Sequence, residues 1–351
     1  MQYDYIIVGQ GICGSFMSHY LIQAGKSVLV VDELNKYSSS HVASGLINPV
    51  TGKRIVTTWM ADQLLPFAKD AYQKLEQLLV TSLISQTDII EFHPTREAKE
   101  IFDERVAEGN TYLQHPPDDT AWQSLFRFNY GLSLISPCML IDLQTLLAKW
   151  RQYLKELQAL DEERFDITHC TITTDGVVYK GIKAEKIIFC DGIAGFDNPY
   201  FSLLPYTKNK GEALIVSIPD LPRTHIYKQG IKIVPWKEDL FWIGASFEWK
   251  YDDLNPTPAY RDKVKAQLDY WLKLPYTIID HIASERPTTV GQMPFAGLHP
   301  LHTNVGVLNG MGTKGCSLAP YLAHQFVQHL LYGKELLPEA DVRRHARILS
   351  R

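Results

Sequence analysis

Gly9, Gly11, Gly14 and Asp32 have the residue types and spacing of a dinucleotide-binding turn. The three glycines form G-x-G-x-x-G, and the acid follows 18 residues beyond Gly14. Gly9 permits a tight turn, Gly11 lets backbone approach a pyrophosphate, and Gly14 lets a helix pack close to a strand. A helix N-terminus at this point offers free N–H groups and a positive dipole end to phosphates. At the distance of Asp32 a carboxylate can accept hydrogen bonds from the ribose hydroxyls of an adenosine. No zinc-type Cys/His cluster, Ser-His-Asp constellation or Walker motif stands at usable spacing elsewhere, so metal is not expected. His19 and His324 lie on helical stretches with apolar neighbours, which suits structural histidines. The five cysteines (Cys13, Cys138, Cys170, Cys190, Cys316) are odd in number and scattered. They read as buried reduced thiols, with Cys13 and Cys316 near the cofactor turns.

The elements that must position these residues are visible in the same stretch. An apolar run from Tyr5 to Val8 leads into the glycines, a helical stretch follows to Ala24, and Gly25 stops it before a second apolar run, Val28 to Val31. Asp142 to Leu157 is amphipathic, with Leu143, Leu146, Leu147, Trp150, Leu154 and Leu157 on one face. A helix rich in Leu and Lys spans Trp59 to Val80, and another runs from Pro258 to Leu274. Residues 81–139 look irregular, with short β-type runs. The chain of 351 residues is 45% apolar, enough for a large core in one big or two interleaved domains. A net charge of −4 gives no global attraction to nucleic acid or acidic membranes. The basic tail, Arg343 to Arg351, suits a solvated helix end. No apolar run approaches the roughly 20 residues that span a bilayer. The first strand begins too close to Met1 for a leader, so a cytoplasmic protein with no membrane partner is expected.

Three further segments carry a resemblance. Ser38 to Pro49 is similar to the post-acid loop of flavoprotein amine and amino-acid oxidases, whose Ser/Ala/Gly pattern, here including Ser44 and Gly45, lets backbone touch the isoalloxazine edge. Arg286 to Pro300, RPTTVGQMPFAGLHP, looks like the arginine-proline strand of glycine oxidase and its relatives, with the Pro-x-x-Gly turn that borders the flavin. From Asn309, NGMGTKGCSLAPYLAHQFVQHLL is a glycine-rich turn feeding an amphipathic helix, which in the family points its N-terminus at the flavin pyrimidine. The chain thus resembles the FAD-dependent oxidoreductases of the D-amino-acid oxidase, glycine oxidase and sarcosine oxidase group. GASFE (Gly244 to Glu248) and GTKGCSLAP are also similar to the oxidase domain of the bifunctional enzyme that modifies tRNA wobble uridine to its methylaminomethyl form. That enzyme's methyltransferase half is absent here. The resemblance covers essentially the whole chain, dense at both ends and thin between residues 75 and 140.

It implies an α/β plus α+β, D-amino-acid oxidase-like fold. A Rossmann-type FAD-binding domain (1–80, 140–203 and 285–351) is interleaved with an antiparallel-sheet substrate domain (81–139 and 204–284). FAD is expected to meet Gly9, Gly11, Gly14, Asp32, Ser44, Gly45, Gly192, Gly310, Gly312, Thr313, Lys314 and Gly315. Asp191, before Gly192, departs from the usual Ala-Thr-Gly or Ala-Ala-Gly and can cap a loop there. Thr313 and Lys314, at the start of the last helix, can stabilise negative charge at the N1/C2 side of reduced flavin. His41 stands four residues before Gly45, against three in the covalent linkage motif, so FAD is expected to be non-covalent.

The implied reaction oxidises the C–N bond of a small amino acid or secondary amine bearing a carboxylate, by hydride transfer to flavin N5. Oxygen or another acceptor then takes the electrons. Arg286 is the expected carboxylate anchor, because a guanidinium grips a carboxylate bidentately; the alternative is a surface arginine in a salt bridge. Lys232 alternates with Ile231 and Ile233 and either faces the flavin cavity or stands in water on an edge strand. Of Phe247 and Trp242, which alternate differently on the next strand, Phe247 is expected to line the pocket. Two other readings stay open: oxidation of a carboxymethylaminomethyl group on tRNA, the one case with a nucleic-acid partner, and a flavin-binding protein with little turnover.

Overall fold

The computed structural model describes residues 2–351. Its first sheet forms from apolar runs that do not alternate, because both faces are covered. Tyr5, Ile7, Val28 and Val30 pack into one core with the helices. Ile6, Val8, Leu29 and Val31 pack into another on the opposite face. The strand Gln2–Val8 pairs in parallel with Val28–Val31 on one side and Ile182–Phe189 on the other. Ile182–Phe189 pairs in parallel with Val305–Asn309 and antiparallel with Gly176–Tyr179. The helices Ile12–Gln23, Ala61–Leu79, Leu143–Glu156 and Gly315–Tyr332 cover one face. Asp142 starts the third of these by accepting from Thr145 N at 2.9 Å, an N-cap bond that fixes its first turn.

The second sheet has eight strands, in the order Thr277–Thr289, Tyr206–Ser217, Leu240–Gly244, Ile231–Pro235, His225–Gln229, Asp88–Phe92, Leu132–Ile135 and Leu113–Gln114. It is antiparallel except where His225–Gln229 runs parallel to Asp88–Phe92. That exception arises because Asp88–Phe92 comes from a distant part of the chain and is not joined to its neighbour by a hairpin. The helix Pro258–Trp271 closes one face, burying Tyr260, Val264, Leu268 and Trp271 against Leu214, Ile233, Phe241 and Ile243. Thr257 Oγ1 caps it by accepting from Tyr260 N, with Pro258 in the first turn. The other face packs Ala213, Ile215, Val234 and Trp242 with Val50, Ile55 and Phe102.

Two features differ from the sequence reading. The strand Thr277–Thr289 pairs with Tyr206–Ser217 along its whole length, so Arg286 and Thr289 belong to the second sheet although they lie past residue 284. Residues 81–139 are also more regular than expected. They hold the helix Arg96–Ala107, which buries fully only Phe102 and so shows little apolar periodicity.

Candidate active site

The turn after the first strand separates glycines needed by the fold from one that is not. Gly9 has φ +93°, and a Cβ there would lie 2.6 Å from Cys190 O. At Gly14 a Cβ would lie 1.8 Å from Gly9 O, so the helix sits on the turn too closely for any side chain. Gly11 has φ −70°, which any residue adopts, and its Cβ position meets only the Ser40 hydroxyl at 3.0 Å. The bare backbone at Gly11 is thus not demanded by internal packing. It leaves a cradle in front of a helix N-terminus, the place a pyrophosphate takes. Ser40 Oγ accepts from Ile12 N at 3.0 Å across the mouth of this cradle.

Asp32 stands at the end of the second strand and is held on several sides. Oδ2 accepts from Gln10 N at 2.9 Å, and Oδ1 accepts from Leu34 N at 2.8 Å and from Arg151 at 2.7 Å. Arg151 also donates to Gln10 Oε1, to Asp32 O and to Glu162. Gln10, Ser40 and Arg151 were not singled out in the sequence. Arg151 carries no local signal, being 119 positions from its carboxylate partner.

A second group of turns lies in the post-acid loop and after the strands Ile182–Phe189 and Val305–Asn309. Gly45 has φ +81° and lets the post-acid loop lie on Ile141, whose carbonyl a Cβ would overlap at 1.9 Å. Ser44 beside it is partly buried. Asp191 accepts from Asn198 and Asn309, each at 3.2 Å, and Asn309 also donates to Gly192 O at 2.7 Å. The acid therefore clamps the Gly192 turn to the Asn309–Gly310 turn, and burial pushes its carboxyl up to about 6 against those two amides. Gly310 and Gly312 both have positive φ and pack against Thr289 and Thr288. Gly315 begins the helix Gly315–Tyr332, with Lys314 as an N-cap that makes no side-chain cap bond. No side chain therefore caps its first N–H groups, of which Ser317 N bonds back to Lys314 O. Lys314 Nζ instead reaches Asn48 Oδ1 at 3.3 Å in the post-acid loop, while Thr313 is exposed.

Strand register places the expected substrate residues on one face of the second sheet. Arg286 pairs with Asn209; Asn209, Gly211 and Ala213 alternate to the same side; Ala213 pairs with Gly244, which pairs with Lys232. That face is the one opposite the helix Pro258–Trp271. Arg286 Nη1 donates to Asn209 Oδ1 at 2.7 Å and to Ser246 O at 3.1 Å, and its Nη2 lies over Gly211, where a Cβ would meet it at 1.8 Å. The Phe247 ring covers the guanidinium at 4.7 Å. Lys232 is therefore on an inner strand, not an edge strand in water.

Phe247 departs from the expectation that it alternates on a strand. The regular strand ends at Gly244, and the chain continues along Tyr206–Ser217 with its register slipped by one residue, Ser246 N bonding Glu212 O and Glu248 bridging Lys210. Phe247 is 59% exposed and acts as a cover on Arg286. Trp242 is the buried one of the two, its Nε1 donating to Val42 O at 3.0 Å. This bond and Ser284 Oγ donating to Tyr37 O tie the sheet face to the post-acid segment.

The recess between these parts is rich in uncompensated positive charge. Burial pulls Lys232 down to about 8, with Lys228 and Arg286 adding repulsion. Burial and Lys232 bring Lys314 down to about 8 as well. Burial lowers Arg286 to about 10. Of the acids around the recess, Glu91 is engaged by Lys228 on this side, whereas Glu285 and Glu212 alternate to the opposite face of the sheet, held there by Lys208 and by Lys210 and His281. His41, on the short helix Ser39–Val42, makes a 2.9 Å hydrogen bond with Ser38. Cys13 and Cys316 are free thiols, both pushed up to about 12 by burial. No group of three or more metal-ligating side chains occurs among the described residues. No helix among them is long and apolar enough to cross a membrane.

The model of one protein family, described as FAD dependent oxidoreductase, matches residues 4–329. Among solved structures, glycine oxidase from Geobacillus kaustophilus superposes with a TM-score of 0.80 at 18% identity, over 95% of each chain. L-proline dehydrogenase from P. horikoshii gives 0.77 at 16% identity, over 99% of this chain and 98% of its own. Iminodiacetate oxidase from a Chelativorans species gives 0.74 at 16% identity, over 97% and 98%. At these identities the structures share the fold.

Proposed function

The chain belongs to the family of FAD-dependent oxidoreductases, and on that premise we propose that it oxidises the C–N bond of a small amino acid or secondary amine bearing a carboxylate. The observation that carries this reading is Arg286, oriented by Asn209 and Ser246, under an aromatic cover, with no carboxylate of the described residues paired to it. A fixed guanidinium without a counter-ion is a seat for a carboxylate.

The residues fit FAD: the bare cradle at Gly11 suits its pyrophosphate, and the N-terminus of Gly315–Tyr332, free of a side-chain cap, suits its ring. Bound there, FAD supplies the two-electron acceptor for the C–N bond. The chain's own part is positioning. Arg286 fixes the carboxylate end, and the first turn of Gly315–Tyr332 with Lys314 favours negative charge on the ring's N1/C2 side. Trp242 and the small residues Gly211 and Ala213 form an apolar floor that limits water at the reacting carbon. The imine product is then hydrolysed by water.

Anaerobic mixing of the yellow protein with glycine, N-methylglycine, proline, D-amino acids and a carboxymethylaminomethyl nucleoside tests the reading. Bleaching by at least one acid-bearing amine is expected. A flavin that none of them reduces would leave a binding protein with little turnover as the better description.

Acid precipitation should release all of the flavin, since His41 is hydrogen-bonded to Ser38 and out of register with the linkage motif. Colour persisting in the washed pellet would make His41 the first attachment candidate.

Binding of a simple carboxylate such as acetate, followed by the flavin absorbance, should weaken as pH rises from 7 to 9.5. Lys232 and Lys314 titrate at about 8, so each is mostly protonated below that pH and mostly neutral above it. An anion favours the protonated forms, so affinity falls through this window while Arg286, at about 10, retains a remainder. The groups acting on these lysines include Lys228, Glu91 and Cys138. An affinity flat across the window would remove both lysines from the anion's surroundings.

A further inference from the structure

One carboxylate does not balance the charge in this recess. Four cations are grouped there, Arg286, Lys232, Lys228 and Lys314, against the single acid Glu91, which Lys228 takes up by direct contact. Lys314 is turned to the post-acid loop through Asn48, on the side assigned to the flavin ring. A carboxylate on Arg286 accounts for one of the two cations that remain. Lys232 would still be charged, largely withdrawn from water and with no hydrogen-bond or ion-pair partner among the described residues, an arrangement proteins avoid unless a ligand completes it. The substrate's nitrogen does not help, because it must be neutral to be oxidised.

We propose that the substrate carries two carboxylates, one held by Arg286 and the other by Lys232, which makes the substrate class N-carboxyalkyl amino acids, secondary amines flanked by two acid groups. This rests on the amine-oxidising reading above. The spacing supports it. Arg286 leans one strand inward, over Gly211, and Lys232 stands two strands further on. Two strand spacings across and the two residues along the strand from Gly211 to Ala213 make about 12 Å. An extended diacid amine with a contact of about 3 Å at each end bridges that gap. Between the two cations the bare backbone of Gly211 seats the guanidinium and that of Gly244 seats the Trp242 ring, so the ring beside Ala213 is the surface along which such a molecule would lie.

The test compares flavin reduction in the holoenzyme by iminodiacetate and N-carboxymethyl-β-alanine with reduction by N-methylglycine and N-propylglycine. At least one diacid should exceed the monoacids in kcat/KM by roughly tenfold to a hundredfold, the scale of one charged hydrogen bond. In Lys232→Met the ratio of diacid to monoacid should collapse, and Lys232→Arg should restore part of it. Because the readout is a ratio within one protein, a general loss of folding or flavin cannot imitate it. Equal kcat/KM for diacids and monoacids in the native protein would overturn the proposal, as would a Lys232→Met ratio unchanged from native. Both results leave the amine-oxidising reading standing. Failure of every amine to reduce the flavin would instead overturn both together.

Discussion

Arg286→Ala should keep FAD bound while losing roughly 2–5 kcal/mol of transition-state binding, the scale for a buried charge pair that loses one partner. The argument rests on how the guanidinium is held. Asn209 and the Ser246 carbonyl consume one nitrogen and fix the plane, and Phe247 shields one face. The side chain is therefore organised before the substrate arrives and loses little entropy on binding it. Arg286→Lys should recover only part of the loss, since an ammonium cannot make two parallel hydrogen bonds. Gly211→Ala probes the same seat without touching the charge. Its Cβ would fall 1.8 Å from Nη2, so the guanidinium must move, and kcat/KM for acid substrates should fall with it. A decarboxylated analogue is the control, because it has no carboxylate to lose. Equal damage to the acid and its decarboxylated analogue would place Arg286 in a structural role and move the search for an anchor to Lys232 or Lys314.

Gly11→Val and Gly14→Val should fail in different ways. Valine at Gly14 drives its Cβ into the Gly9 carbonyl, a backbone group that cannot swing aside, so little folded protein is expected. Valine at Gly11 meets only the Ser40 hydroxyl, and the backbone there is already in a conformation open to any residue. That variant should fold, with near-native far-ultraviolet dichroism, yet emerge colourless because the isopropyl group fills the cradle. A well-folded Gly11→Val protein with full flavin content would count against the pyrophosphate lying on this turn.

The nucleotide turn was legible in the residues alone because its determinants are local. A tight turn, a helix start and an apolar run each depend on residues within a few positions of one another. The same holds for the helix Leu143–Glu156, found where the apolar periodicity of Asp142 to Leu157 placed it, and for Pro258–Trp271, found within the stretch Pro258 to Leu274. Arg96–Ala107 was not legible, since a polar helix resting on one buried phenylalanine shows no stripe. The relation between Lys232 and Arg286 is of another kind. They share a face only because the strands Tyr206–Ser217 and Leu240–Gly244 come between them in one particular register, and a slip of one residue would turn either cation to the far side. The same limit hid Arg151 from Asp32 and led Phe247 to be read as a strand residue, because the chain's departure at Gly244 is set by what packs there. Local chemistry in the sequence therefore fixed which cofactor chemistry this protein carries. Long-range strand pairing alone decided which charges share one face of the second sheet, because register is set by packing between segments that carry no mark of one another.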